Sequence, residues 1–81
     1  MSDSLKQTHF GYQNKITSQW LRIEHAPHRL NHYFVDTPMD ASKYLARNVI
    51  EEDFDNLRLT DREDWKLKKI QVTYKVTDSE I

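Results

Sequence analysis

The run "WKLKKIQVTYKVTD", residues 65–78, constrains the fold more than any other stretch. Ile70, Val72, Tyr74 and Val76 alternate with Gln71, Thr73 and Lys75. Successive side chains of an extended chain point to opposite faces, so this pattern predicts a strand with one apolar face. A strand of that kind needs neighbours to pair with and a layer to cover it. Trp65 and Leu67 occupy the odd register and Ile70 onward the even one. The slip at Lys68-Lys69 therefore predicts a bulge, or a strand that starts later.

The cover is expected from "TPMDASKYLARNVIEEDF", residues 37–54. Thr37 suits an N-cap, Pro38 the first helical position, and Asp40 the place of a capping acid. At about 100° per residue, Met39, Leu45, Ala46, Val49 and Ile50 fall on one side of a helix. Asp40, Lys43, Arg47 and Glu51 fall opposite, with Arg47 and Glu51 spaced as an i,i+4 pair. Two further strands come earlier. "KITSQWLRIEH" (15–25) sets Leu21 and Ile23 against Trp20, Arg22 and Glu24, and "LNHYFVD" (30–36) follows after the proline turn "APHR". Their closeness predicts an antiparallel hairpin. Residues 1–14 lack clean periodicity and read as a loose arm, although His9, Phe10 and Tyr12 around Gly11 suit a short docked strand. "LRLTDRED" (57–64) reads as a connection with Leu57 and Leu59 tucked inward, and residues 77–81 as a frayed tail. The expected fold is thus α+β in the order β-β-α-β: a small, mostly antiparallel sheet with one amphipathic helix on one face, in a single domain spanning 1–81. The other face would show Trp20, Tyr33 or His32 and alternating lysines, and is the first place to look for a partner.

Composition narrows the chemistry. A chain of 81 residues buries only about 60–65% of the surface its unfolded form exposes, which leaves little room for a deep catalytic pocket. The hydrophobic fraction of 37% and charged fraction of 31% suit a soluble domain. With no cysteine there is no disulfide, thiolate catalysis or zinc finger, which fits a reducing compartment. No apolar run reaches the length of a membrane span, and "MSDSLKQTHF" carries no signal-peptide core, so a cytoplasmic location without membrane contact is expected. The single glycine leaves no phosphate-cradling loop, and Ser18 and Ser42 lack a nucleophile-elbow context. No enzyme activity, catalytic residue or cofactor is expected.

Three clusters remain. His25, His28 and His32, followed by Asp36, have the residue types of a metal site. Pro27 and the strand-like "HYFV" make the three imidazoles diverge, so the expected reading is surface histidine with no metal. "EEDFDN" (51–56) places Glu51, Glu52, Asp53 and Asp55 near a helix C-terminus, where partial negative charge makes acids unwelcome. Either the helix runs further, or a fresh turn starts at Asp53, or the cluster serves a partner. Lys66, Lys68, Lys69 and Lys75, interleaved with Trp65 and Tyr74, suit either a phosphate backbone with stacked bases or the protection of an exposed edge strand. The net charge of −1 is not the basic excess usual in nucleic-acid binders. It is unevenly spread: residues 39–64 carry four basic and eight acidic side chains, and residues 65–81 four lysines against two acids.

The stretch "YFVDTPMDASKYLARNVIEEDFDNLRL" resembles the strand–helix–strand centre of small phage-encoded anti-defence proteins of the anti-CRISPR type. The resemblance rests on Phe34, Val35 and Asp36, on Ala41, Ala46 and Ile50, and on Phe54 and Leu57. It implies a stoichiometric inhibitor that docks on a host defence complex in the host cytoplasm, with no shared catalytic residues. The leading expectation is therefore a non-enzymatic protein-binding module, monomeric or homodimeric, acting by steric and electrostatic occlusion. Its contact residues would be Glu51, Glu52, Asp53 and Asp55, with Trp20 and Tyr44 as aromatic anchors. The alternative is a small nucleic-acid-binding regulator using Lys66, Lys68, Lys69 and Lys75.

Overall fold

The longest ladder of the fold begins where the sequence has the least periodicity. In the computed structural model, which describes residues 3–76, β1 (Asp3–Asn14) pairs antiparallel with β4 (Trp65–Val76), from Asp3↔Val76 to Asn14↔Trp65. The expected loose arm is thus a twelve-residue strand. Leu5 to Thr8 are exposed on both faces, and burial starts only at His9. A ribbon wet on both sides has no reason to alternate, which hid the strand from a reading by period. β2 (Trp20–Ala26) and β3 (Arg29–Val35) form the expected hairpin, paired from Trp20↔Val35 to Ala26↔Arg29. The sheet order is β3-β2-β1-β4, and α1 (Arg47–Asn56) lies between β3 and β4 in the chain. The class is α+β with an antiparallel sheet and one helix. The chain order is β-β-β-α-β, one strand more than the expected β-β-α-β.

No bulge interrupts β4; its pairing with β1 is continuous. The apolar register slips because the two ends of β4 use different faces. Trp65 and Leu67 stand opposite Asn14 and Tyr12, on the helix side, whereas Ile70 and Val72 stand opposite His9 and Gln7, on the other side. The helix-side core contains Tyr12, Leu21, Ile23, Ile50, Phe54, Leu57, Leu59 and Trp65. Tyr12 stacks on Phe54 at 4.1 Å between ring centroids, and Phe34 of β3 stacks on Trp65 at 5.3 Å, so the two sheet edges curl toward each other over this core.

The helix starts at Arg47 rather than Thr37. The Thr37 hydroxyl donates to the Asp40 carboxylate (3.1 Å), not to the start of a helix. The Lys43 ammonium donates to the carbonyls of Met39 (2.6 Å), Pro38 (3.2 Å) and Ala41 (3.4 Å), closing a compact turn. The chain then laces two strands. β1 and β2 pair only at Gln13↔Trp20 and separate beyond it. In the gap, Phe10 N–H donates to Tyr44 O (2.7 Å) and Tyr44 N–H to Phe10 O (2.9 Å). On the β2 side, Ser42 N–H donates to Leu21 O (3.1 Å), Ile23 N–H donates to Ser42 Oγ (2.7 Å), and Ser42 Oγ donates to Ile23 O (3.0 Å). Buried backbone groups need partners, and residues 42–44 supply them where β1 and β2 have lost each other. That need outweighs the helical pattern of the sequence.

Gly11 lies beneath this lacing. A Cβ there would sit 2.8 Å from Ile70 Cδ1 and 3.2 Å from Ser42 O. The isoleucine methyl can move aside, but the serine carbonyl belongs to a segment tied to both strands. Asn14 closes the end of β1: its Oδ1 accepts from the N–H groups of Ile16 (2.8 Å) and Thr17 (3.0 Å), and its side chain is buried at 3% exposure. Trp65 Nε1–H donates to Asp61 Oδ1 (3.1 Å), and Asn14 Nδ2 reaches Asp61 Oδ2 (3.4 Å), fastening the start of β4 to the same corner.

Candidate binding surfaces

α1 scatters the four carboxylates around its axis. Ile50 and Phe54 face the core. Glu51 and Asp55 flank that ridge on one side, Asp53 flanks it on the other, and Glu52 points outward. Three of the four are occupied. Glu51 accepts from Arg47 Nε (2.6 Å), and Asp55 from Arg62 (2.7 Å). Asp53 Oδ2 accepts from the Tyr44 hydroxyl (2.6 Å) and from His25 Nε2 (3.0 Å). Only Glu52 is without an ion pair or side-chain hydrogen bond among the described residues. The expected acidic patch is therefore not assembled as one surface. The acids are tolerated near the helix end because Arg62 covers it: its Nη1 donates to the carbonyls of Asp55, Leu57 and Phe54 (3.3, 3.3 and 3.4 Å), and its guanidinium lies 5.0 Å over the Phe54 ring.

Neither predicted aromatic anchor stands free. Trp20 is half-buried with its ring edge 3.8 Å from the space above Gly11. Tyr44 is half-buried against the core and bound to Asp53. Burial, then the Asp53 hydrogen bond and charge, raise the Tyr44 phenol above its usual value of 10.0. Burial also raises Tyr12, helped by the charges of Glu51 and Asp55. The native state thus holds both protons more tightly than the unfolded chain does. Their contribution to stability is complete below pH 10 and is lost as pH rises beyond it. Stability should fall in alkali, and Tyr44→Phe should flatten that fall. Chemical denaturation of both proteins at a series of pH values measures the two slopes; equal slopes would dissociate Tyr44 from the effect.

The histidines diverge. His25 bonds Asp53, His28 is exposed in the β2–β3 turn, and His32 lies against Phe34 at 5.5 Å between centroids. Among the described residues no three histidine, aspartate or glutamate side chains converge on one point. His9, expected only as part of a short docked strand, is buried in β1, donates from Nε2 to Gln7 Oε1 (3.2 Å), and leaves Nδ1 unpartnered. Lys66 and Lys68 project from the face opposite α1 and Lys69 from the helix face, while the side chain of Lys75 lies outside the described residues.

One partly exposed apolar surface is one that sequence reasoning assigned to the core. Ile70, Val72 and Tyr74 were to lie beneath the helix, but they lie on the opposite face. With Leu5, across from Tyr74, they form an apolar row on the projecting β1–β4 ribbon. Leu5 is 63% exposed and Tyr74 48% exposed, and Met39, 83% exposed, stands beside them. Pro38, Met39 and Lys43 line a shallow groove of about 370 Å³ with Ile70 and Val72. The periodicity found the row; it could not say which side the single helix would cover. No helix among the described residues is long and apolar enough to cross a membrane. No family profile, curated protein or solved structure matches this chain.

Proposed function

We propose that this protein is a non-enzymatic protein-binding module that acts by occupying a surface of its partner. The observation that carries this reading is the apolar row on the face away from α1, in which Leu5, Tyr74 and the neighbouring Met39 are exposed and Ile70 and Val72 are half-buried between them. Contiguous apolar surface on a small domain is a common mark of an interaction site, and aromatic side chains within it contribute most of the binding energy. Glu52 and the rim lysines would tune the rate of encounter more than the affinity. The likeness of residues 33–59 to phage anti-defence proteins makes host defence complexes the first partners to assay.

The test is capture of a partner from a lysate of the cells in which the protein acts, using wild type and a Leu5→Lys/Tyr74→Lys variant. Both side chains are exposed, so the variant should keep its circular dichroism spectrum and lose capture by tenfold or more. Undiminished capture by the folded variant would remove this face from the function. A labelled oligonucleotide whose binding weakens steeply with salt would instead support the nucleic-acid reading.

A further inference from the structure

β4 is an outer strand of the sheet, and its backbone has an open side. The N–H and C=O of Phe10 both bond Tyr44, on the side of β1 away from β4. Phe10↔Lys69 is therefore a non-hydrogen-bonded pair of the β1–β4 ladder. By the alternation of antiparallel strands, Leu67, Lys69, Gln71 and Thr73 direct their N–H and C=O groups outward, and no backbone bond from another segment reaches them among the described residues. Edges of this length are usually blunted by charge, proline or a bulge. Here charge protects one half only: Lys66, Lys68 and Lys69 are followed by five uncharged residues, Ile70 to Tyr74.

We infer that this edge receives an extended segment of a partner protein as a fifth strand. The inference rests on the protein-binding reading above and deepens it by naming the mode. Main-chain bonds would supply affinity, and alternate side chains specificity. The side chains of Lys66, Lys68, Ile70 and Val72 share the face that holds the groove beneath Met39. The incoming strand should present acids at two alternate positions beside Lys66 and Lys68, then apolar residues at the next two beside Ile70 and Val72. Lys66 and Lys68 are exposed and form no ion pair among the described residues, so they are available for this charge match. A second copy of β4 paired antiparallel about Leu67 would set Lys66 against Lys68, like charge facing like charge, which disfavours that register.

The probe is a labelled nine-residue peptide, glutamate at its second and fourth positions, isoleucine at the sixth, valine at the eighth and threonine elsewhere. A second peptide has the reverse order, to allow for parallel and antiparallel entry. Fluorescence anisotropy should show one of them binding wild type at least tenfold tighter than a version with lysine in place of glutamate. Gln71→Pro removes an outward N–H and leaves the β1 ladder intact, a change that edge strands tolerate. It should reduce binding tenfold or more with an unchanged circular dichroism spectrum. Should that variant fold poorly, Lys66→Glu/Lys68→Glu should reverse the preference toward the lysine peptide. Failure of both glutamate peptides to bind, or equal binding by folded Gln71→Pro, would overturn the inference. So would a homodimer in sedimentation that Gln71→Pro dissolves. Loss of lysate capture in the Leu5→Lys/Tyr74→Lys variant would leave the protein-binding reading standing even then.

Discussion

Phe54→Ala is expected to remove about half of the protein's stability. Phe54 is buried between the Tyr12 ring on β1 and the Arg62 guanidinium, and with Ile50 it ties helix to sheet. Truncating a buried phenylalanine costs about 3–5 kcal/mol, and loss of a stacked aromatic partner about 0.5–1.5 kcal/mol within or beyond that. At about 0.05–0.15 kcal/mol per residue, a domain of this size has only about 4–12 kcal/mol in total. Urea unfolding followed by circular dichroism measures the difference. Phe54→Leu keeps most of the volume and should lose much less. An alanine variant within about 1 kcal/mol of wild type would mean that helix and sheet are joined elsewhere.

The second large effect is expected at Ser42. Its hydroxyl is at once acceptor for Ile23 N–H and donor to Ile23 O, closing the gap between the two ribbons. In Ser42→Ala both main-chain groups lose their partner in a partly buried place. Each unsatisfied group costs about 1–3 kcal/mol, less whatever water recovers, so a loss of about 2–4 kcal/mol is expected. The diagnostic readout is local. Hydrogen exchange at the Ile23 amide should accelerate out of proportion to amides of the β1–β4 ladder, which does not depend on Ser42. Ser42→Thr, which retains the hydroxyl, should stay close to wild type. Uniform acceleration across the sheet would mean that Ser42 acts on global stability and not as the lace.

The β2–β3 hairpin was legible because Leu21 and Ile23 alternate with polar neighbours around a proline turn, and that local pattern survives in the fold. Half of the helix was legible for a similar reason: Ile50 lies in the core, and Arg47 and Glu51 make the predicted pair, but Val49 of the expected apolar face is exposed, as are Met39 and Leu45 ahead of the helix. Its first ten positions misled, since Thr37, Pro38 and Asp40 are equally good at starting a helix and at closing a turn. Nothing local marks Ser42 and Tyr44 as partners for strand residues as distant in the chain as Ile23 and Phe10. The candidate site was less legible still. The carboxylates of "EEDFDN" look like one patch in the chain, but helical rotation separates them, and Arg47, Tyr44, His25 and Arg62 take up three.

The sequence by itself determined that β4 would be a strand and that Ile70, Val72 and Tyr74 would share one of its faces. Period is a property of neighbouring residues, and the alternation follows from backbone geometry alone. Which face the helix would cover was decided only in the tertiary structure. The β1 and β2 strands separate after Gln13↔Trp20, and residues 42–44 enter the gap to satisfy the exposed backbone. The helix that follows then settles against Tyr12, Leu21 and Trp65, leaving the apolar row of β4 on the open side with its edge unpaired.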